Sequence, residues 1–175
     1  MIPGILIAGI GNIFLGDDAF GCEVVRKLLT RQWPEAVRIF DFGIRGFDLT
    51  CALLDGPATV ILVDAVPRGE APGTLFLIEP ELSPPDETDD PGNLVEMHGM
   101  DPVRVLRLVR SMGGRFHRVL LVGCQPGSFG LEEEGEGRIG LSGPVEAAVN
   151  EAAGMIEALV ADILVSEKLQ KMEVS

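Results

Sequence analysis

The chain has 175 residues, 46% of them hydrophobic and 23% charged, with a formal net charge of -13. A single domain over 1–175 is expected, burying roughly 70% of its unfolded surface; its apolar runs are strand-length, far short of the ~20 residues a membrane helix needs. The acidic balance argues against nucleic acid and anionic membranes as partners, because both call for clustered Lys and Arg.

Ile5–Ile10 is the first predicted strand, followed by the glycine-rich turn GIGNIFLGDDAFG over residues 9–21. Phe20, Val24, Leu28 and Leu29 then recur at helical spacing. Val37–Phe42 reads as a strand and Phe47–Leu54 as a short helix. Thr59–Ala65 and Val119–Gly123, like the first strand, are nearly continuous in Ile, Leu and Val, the pattern of a sheet covered on both faces. Gly73–Ile78 reads as a short antiparallel edge. Asp101-Pro102 predicts a capped helix start, with Val103, Leu106 and Val109 as its apolar stripe. The last helix starts at Gly143-Pro144 and turns Val145, Ala148, Val149, Ala152, Ile156, Leu159 and Ile163 to the core. Glu79–Asn93 and Leu131–Arg138 are acidic and read as solvated loops with no assigned role. The alternation predicts an α/β three-layer sandwich: a mostly parallel central sheet of about five strands with helices on both faces.

Ligands of such sheets bind beyond the carboxyl ends of the strands, where the winding reverses. The first strand delivers Gly11, Asn12, Asp17 and Asp18 there, the second Asp41, the third Asp64. A phosphate cradle is disfavoured. Phe14 stands where a dinucleotide fingerprint has its third glycine, the P-loop lysine is missing, and two aspartates would repel an anion. Asp17 reads as a helix cap or loop brace, leaving Asp18 to face the crevice. Asp64, too, could merely brace a neighbouring loop. Of the two histidines, His117 reads as surface, and His98 precedes the capped helix. Asp18, Asp64 and His98 together would make an O,O,N set suited to Zn, Mn, Fe or Ni. Cys22, Cys51 and Cys124 are too widely spaced for a redox pair or thiolate zinc site, and each reads as a small buried hydrophobe. Met1-Ile2-Pro3-Gly4 lacks the basic region of a signal peptide, which predicts a cytoplasmic protein.

The opening GIGNIFLGDDAFG, the strand end VDAV, His98 and the tail LVGCQPGSFG…IGLSGPVEAAV resemble the hydrogenase maturation endopeptidases, in order over residues 4 to 165. The resemblance implies a peptidase that removes the C-terminal extension from the large-subunit precursor of a [NiFe]-hydrogenase. Its nickel is carried by that precursor, and no tightly bound organic cofactor is implied. By position, the family's metal-gripping and catalytic residues fall on Asp18, Asp64 and His98. The substrate-selecting loop falls on DFGIRG, placing Asp41 and Gly43 against the substrate; the family's Gly-Thr pair is replaced there by Phe42 and Ile44. Two other readings stay open from sequence. One is a non-catalytic, chaperone-like metal-binding protein that docks on the precursor; the other is a nucleotide-binding α/β enzyme using the glycine turn.

Overall fold

A computed structural model describes residues 4–81, 101–129 and 139–173. Five strands, β1 (Ile5–Ile10), β2 (Val37–Gly43), β3 (Thr59–Ala65), β4 (Leu75–Ile78) and β5 (Arg118–Cys124), form one sheet in the order β2-β1-β3-β5-β4. All pairings are parallel except that of β4, which runs antiparallel to β5 at the edge. Among the described residues four α-helices cover the sheet: α1 (Phe20–Leu28), α2 (Gly46–Leu54), α3 (Pro102–Ser111) and α4 (Gly143–Glu173). The expected three-layer α/β sandwich, with its antiparallel edge, is what the chain adopts.

Two cores lie on opposite faces of the sheet. Ile5, Ile7, Ile61, Val63, Leu120 and Val122 point to the α1 and α4 side, where Phe20, Val24, Val145, Ala152 and Ile156 meet them. The alternate residues Leu6, Ala8, Ile10, Val60, Leu62 and Leu121 meet Leu49 and Leu53 of α2 and Leu106 and Val109 of α3. Every residue of β1 and β3 is buried, because central strands of a doubly covered sheet have no polar face. Each such Ile, Leu or Val contributes roughly 1.5–3 kcal/mol by leaving water.

Some local expectations are corrected. Leu29 does not join the core: α1 ends one residue earlier, and Leu29 is 55% exposed as its C-cap. Cys51 is exposed on α2, whereas Cys22 and Cys124 are buried as expected. Val105 and Leu108 are buried alongside Leu106 and Val109, so the apolar face of α3 is broader than its predicted stripe. No helix among the described residues is long and apolar enough to cross a membrane.

Sequential neighbours are not always spatial neighbours here. The third strand joins β1, not β2. The chain therefore winds one way from β1 to β2 and the other way to β3, and the reversal falls between β1 and β3. That places the crevice where the β1 loop and the end of β3 meet. Glycine makes the seat of α1 possible. A Cβ on Gly21 would collide with the carbonyl oxygens of Val63 and Ile10, and one on Gly9 would sit 2.6 Å from the Gly21 carbonyl oxygen. The close helix–strand approach that a dinucleotide fingerprint assigns to its third glycine is thus supplied by Gly9 and Gly21, which leaves position 14 free to carry a phenylalanine.

Candidate functional site

The loop after β1 is built to return on itself. Gly11 has φ 136°, a region L side chains avoid, and a Cβ there would strike the carbonyl oxygen of Asp18. Its N–H donates to the Gly43 carbonyl at 3.1 Å. Asn12 turns the chain by accepting from the Phe14 N–H through Oδ1 at 3.0 Å, and its own N–H donates to Asp18 Oδ2 at 2.7 Å. The amides of Gly11 and Asn12, which a phosphate cradle would offer to its ligand, are both engaged within the protein. This weighs against the nucleotide reading.

The two aspartates that follow do different work. Asp17 is fully buried. Its Oδ2 accepts from the N–H groups of Gly127 (2.7 Å) and Ser128 (3.0 Å) and from the Ser142 hydroxyl (2.8 Å), while Oδ1 accepts from the Ser142 N–H (2.6 Å). Burial pushes its pKa up, but the hydrogen bonds of Ser142, Ser128 and Gly127 to the ionised form outweigh it, and the pKa is lowered. Asp17 therefore clamps the first loop to the β5 exit and to the residue before α4, as the brace reading expects.

Asp18 sits in the opposite condition. Burial raises its pKa, and the Asn12 N–H offsets this only in part. Asp64, at the end of β3, is buried, and its carboxyl is pushed up to about 8. Burial is the main cause, followed by the Asp18 charge; the Ala65 backbone N–H pulls the other way, and the Asp101 charge adds a little. Asp18 and Asp64 are thus brought within electrostatic reach of each other, as the strand-end argument anticipated. Asp101 joins them. Sequence marked it only as a helix cap, which it is, accepting from the Val103 N–H at 2.9 Å. Its influence on Asp64 depends on α3 packing beside β3, which no local signal announces.

Asp41 and Gly43 lie in a neighbouring pocket instead. They line a cavity of about 310 Å³ with Gly11, Asn12 and Cys22. Asp41 is 4.0 Å from the Arg26 guanidinium, and its carbonyl accepts from Arg45. The buried Cys22 thiol donates to the Gly11 carbonyl at 3.5 Å; burial, then the hydrogen bond and charge of Asp41, push its pKa up to about 12. His98 lies outside the described residues. Among the described residues no three His, Cys, Asp or Glu side chains gather as a metal site. The described portion supplies two carboxylates. A carboxylic acid kept protonated near neutrality by burial and a like charge is one that an arriving cation would ionise, since a bound cation inverts the local pKa logic.

A mostly parallel α/β sheet with an acidic pair at its switch point has the ligand crevice of a doubly wound fold. Comparison with known proteins makes the class specific. A model of the hydrogenase maturation protease family (HycI) matches residues 22–159. The chain is 32% identical over 149 residues to the hydrogenase 2 maturation protease of Escherichia coli, covering 85% of each chain. Among solved structures it superposes on the hydrogenase maturating endopeptidase HybD from E. coli with a TM-score of 0.70 at 30% identity, covering 91% of this chain and 93% of that one. On the [NiFe] hydrogenase maturation protease HycI from Thermococcus kodakarensis the TM-score is 0.61 at 29% identity, covering 88% and 90%. This chain belongs to the hydrogenase maturation protease family and is a peptidase.

Proposed function

We propose that this protein is an endopeptidase that removes the C-terminal extension of a nickel-loaded [NiFe]-hydrogenase large-subunit precursor in the cytoplasm. Asp18, Asp64 and His98 grip the nickel that the precursor carries, and Asp41 and Gly43 contact the substrate chain beside it. The observation that carries this reading is the Asp18–Asp64 pair, a half-buried and a buried carboxylate within electrostatic reach of each other at the switch point, both with raised pKa values. Two carboxylates and one imidazole suit nickel without demanding permanent ownership of it.

The grip does two things for the reaction. It fixes the register of the precursor, so that the peptide following its metal site meets the enzyme in one orientation, an effect that alone can contribute several kcal/mol. It also requires Asp64 to give up its proton, tying competence to the arrival of the ion. The substrate's nickel then supplies Lewis acidity toward a carbonyl or water.

The test is to incubate the protein with nickel-loaded and nickel-free precursor and weigh the products. Loss of the extension from the loaded form alone is expected. Stable binding with no mass lost would replace this reading with that of a docking chaperone. Asp18→Asn, Asp64→Asn and His98→Ala should each abolish processing while the far-UV circular dichroism stays native; full activity in any one removes that residue from the grip.

A further inference from the structure

Phe14 takes no part in the metal grip. It occupies a glycine position of a nucleotide-like turn, and it stands 63% exposed at the loop tip although a large hydrophobic core lies beneath. Two cavities meet at this residue. The smaller, about 310 Å³, is the pocket of Asp41 and Gly43, and it reaches the Gly11–Asn12 backbone that holds Asp18. The larger, about 770 Å³, lies between α1 and the first turns of α4, reaching Glu146, Val149 and Asn150. Ile13, Phe14 and Arg26 line both.

We propose that these cavities form one groove, divided by Phe14, that binds the substrate's C-terminal extension as an extended peptide, with an apolar side chain of the extension seated against Ile13 and Phe14. This rests on the reading of Asp18 and Asp64 as the nickel grip. The precursor on one side of the scissile bond is then held through its metal, so the chain on the other side must leave along the enzyme surface. The groove begins one hydrogen bond from Asp18. Both volumes fall in the range of ligand sites, ~300–1,000 Å³, and the larger has room for several residues. The wall chemistry fits a polypeptide better than an ion. Arg26 is paired with Glu23 at 2.6 Å and faces Asp41 at 4.0 Å, so charges of both signs alternate along apolar surface. In a chain of net charge -13, that mixed lining repels neither an acidic nor a basic segment. Aromatic side chains, phenylalanine among them, are enriched where partner surfaces meet.

The experiment compares Phe14→Ala, Asn150→Trp, which fills the larger cavity from an exposed helix position, and Phe47→Ala as a control at an 80% exposed residue outside the groove. Each variant is assayed on the nickel-loaded precursor, and a synthetic peptide of the extension that the unaltered protein removes is used as competitor. Phe14→Ala and Asn150→Trp should raise KM roughly tenfold or more with kcat within about twofold, and should weaken inhibition by the peptide equally; Phe47→Ala should do neither. Nickel-loaded precursor already lacking its extension should bind all variants alike. Unchanged KM in both groove variants overturns the proposal, and so does an equal loss of binding to the extension-free precursor, which would assign the groove to the precursor body. Failure of the unaltered protein to process any loaded precursor sinks the functional reading instead, and is distinguishable because it precedes every variant.

Discussion

Asp17 and Asp18 are bonded neighbours in one turn, yet their carboxylates live under opposite electrostatics. Asp17 is buried and met by three backbone N–H groups and a hydroxyl, drawn from residues 110 to 125 positions away. Asp18 is partly desolvated, with one backbone donor, and it faces Asp64, whose proton it helps to retain. The first arrangement has nothing left to offer a ligand. The second has fewer partners, which is what the proposed grip on a cation asks of it.

The sharpest way to break this contrast is to exchange the two positions as sites of damage. Asp17→Asn keeps the shape but presents an amide to a cluster of donors. Several charge-assisted hydrogen bonds are then lost at a buried site, and stability should fall by about 3–4 kcal/mol, read as a shift of the urea midpoint at unchanged slope. Asp18→Asn should leave that midpoint within about 0.5 kcal/mol while processing disappears. Should Asp17→Asn prove as stable as the unaltered protein, Asp17 is no brace.

Gly11→Ala probes the turn that presents Asp18. Its φ of 136° and the collision of a Cβ with the Asp18 carbonyl leave no room for a side chain, so the loop must move. A loss of about 1–3 kcal/mol is expected from backbone strain, with a disproportionate loss of processing because Asp18 is displaced with it. Stability loss with undiminished activity would detach the turn from the site.

Much of this was legible in the sequence, for identifiable reasons. The strands β1, β3 and β5 announce themselves because both their faces are covered, which forces unbroken Ile, Leu and Val. Asp101-Pro102 marks the start of α3 because capping is a local hydrogen bond. Asp18 and Asp64 could be placed together because the ends of parallel strands share one edge. What escaped is tertiary. That Gly21, not residue 14, makes the close helix–strand contact depends on where α1 sits over the sheet. That β3 joins β1 rather than β2 runs against the common neighbour rule, and it tightened the site rather than dispersing it. The partners of Asp17 lie in two segments far along the chain, and Asp101 looks like an ordinary cap until α3 is packed.

The same contrast sets a pH dependence for the metal-free protein. Asp17 has a folded pKa below its usual value, so its contribution is present above about pH 4 and is lost as pH falls through the lowered pKa. Asp64 has the reverse sign. With its folded pKa pushed up to about 8, its protonated form favours folding below about pH 4, and that advantage is lost progressively as pH rises to 8. Asp64→Asn, which cannot ionise, should therefore match the unaltered protein at pH 4 and exceed it at pH 8 by on the order of a few kcal/mol, since each tenfold change in proton affinity is worth about 1.4 kcal/mol. Chelator-treated protein followed by thermal denaturation at each pH gives the comparison. Parallel curves would mean that Asp64 is not held protonated.

The smallest effect concerns the thiols. Reaction with a disulfide reagent requires thiolate and access. Cys51 is exposed on α2, while Cys22 and Cys124 are buried with thiols pushed up to about 12 and about 11. Burial is the first cause for both, reinforced by Asp41 at Cys22 and by Asp17 at Cys124. One fast-reacting thiol is expected in the native protein and three in denaturant, with processing unaffected by modification of Cys51. Fast reaction of Cys22 would carry a structural meaning beyond its own exposure. Its thiol donates to the Gly11 carbonyl and borders the cavity of about 310 Å³, so a reagent entering from that cavity would have to break the contact by which α1 holds the loop that presents Asp18.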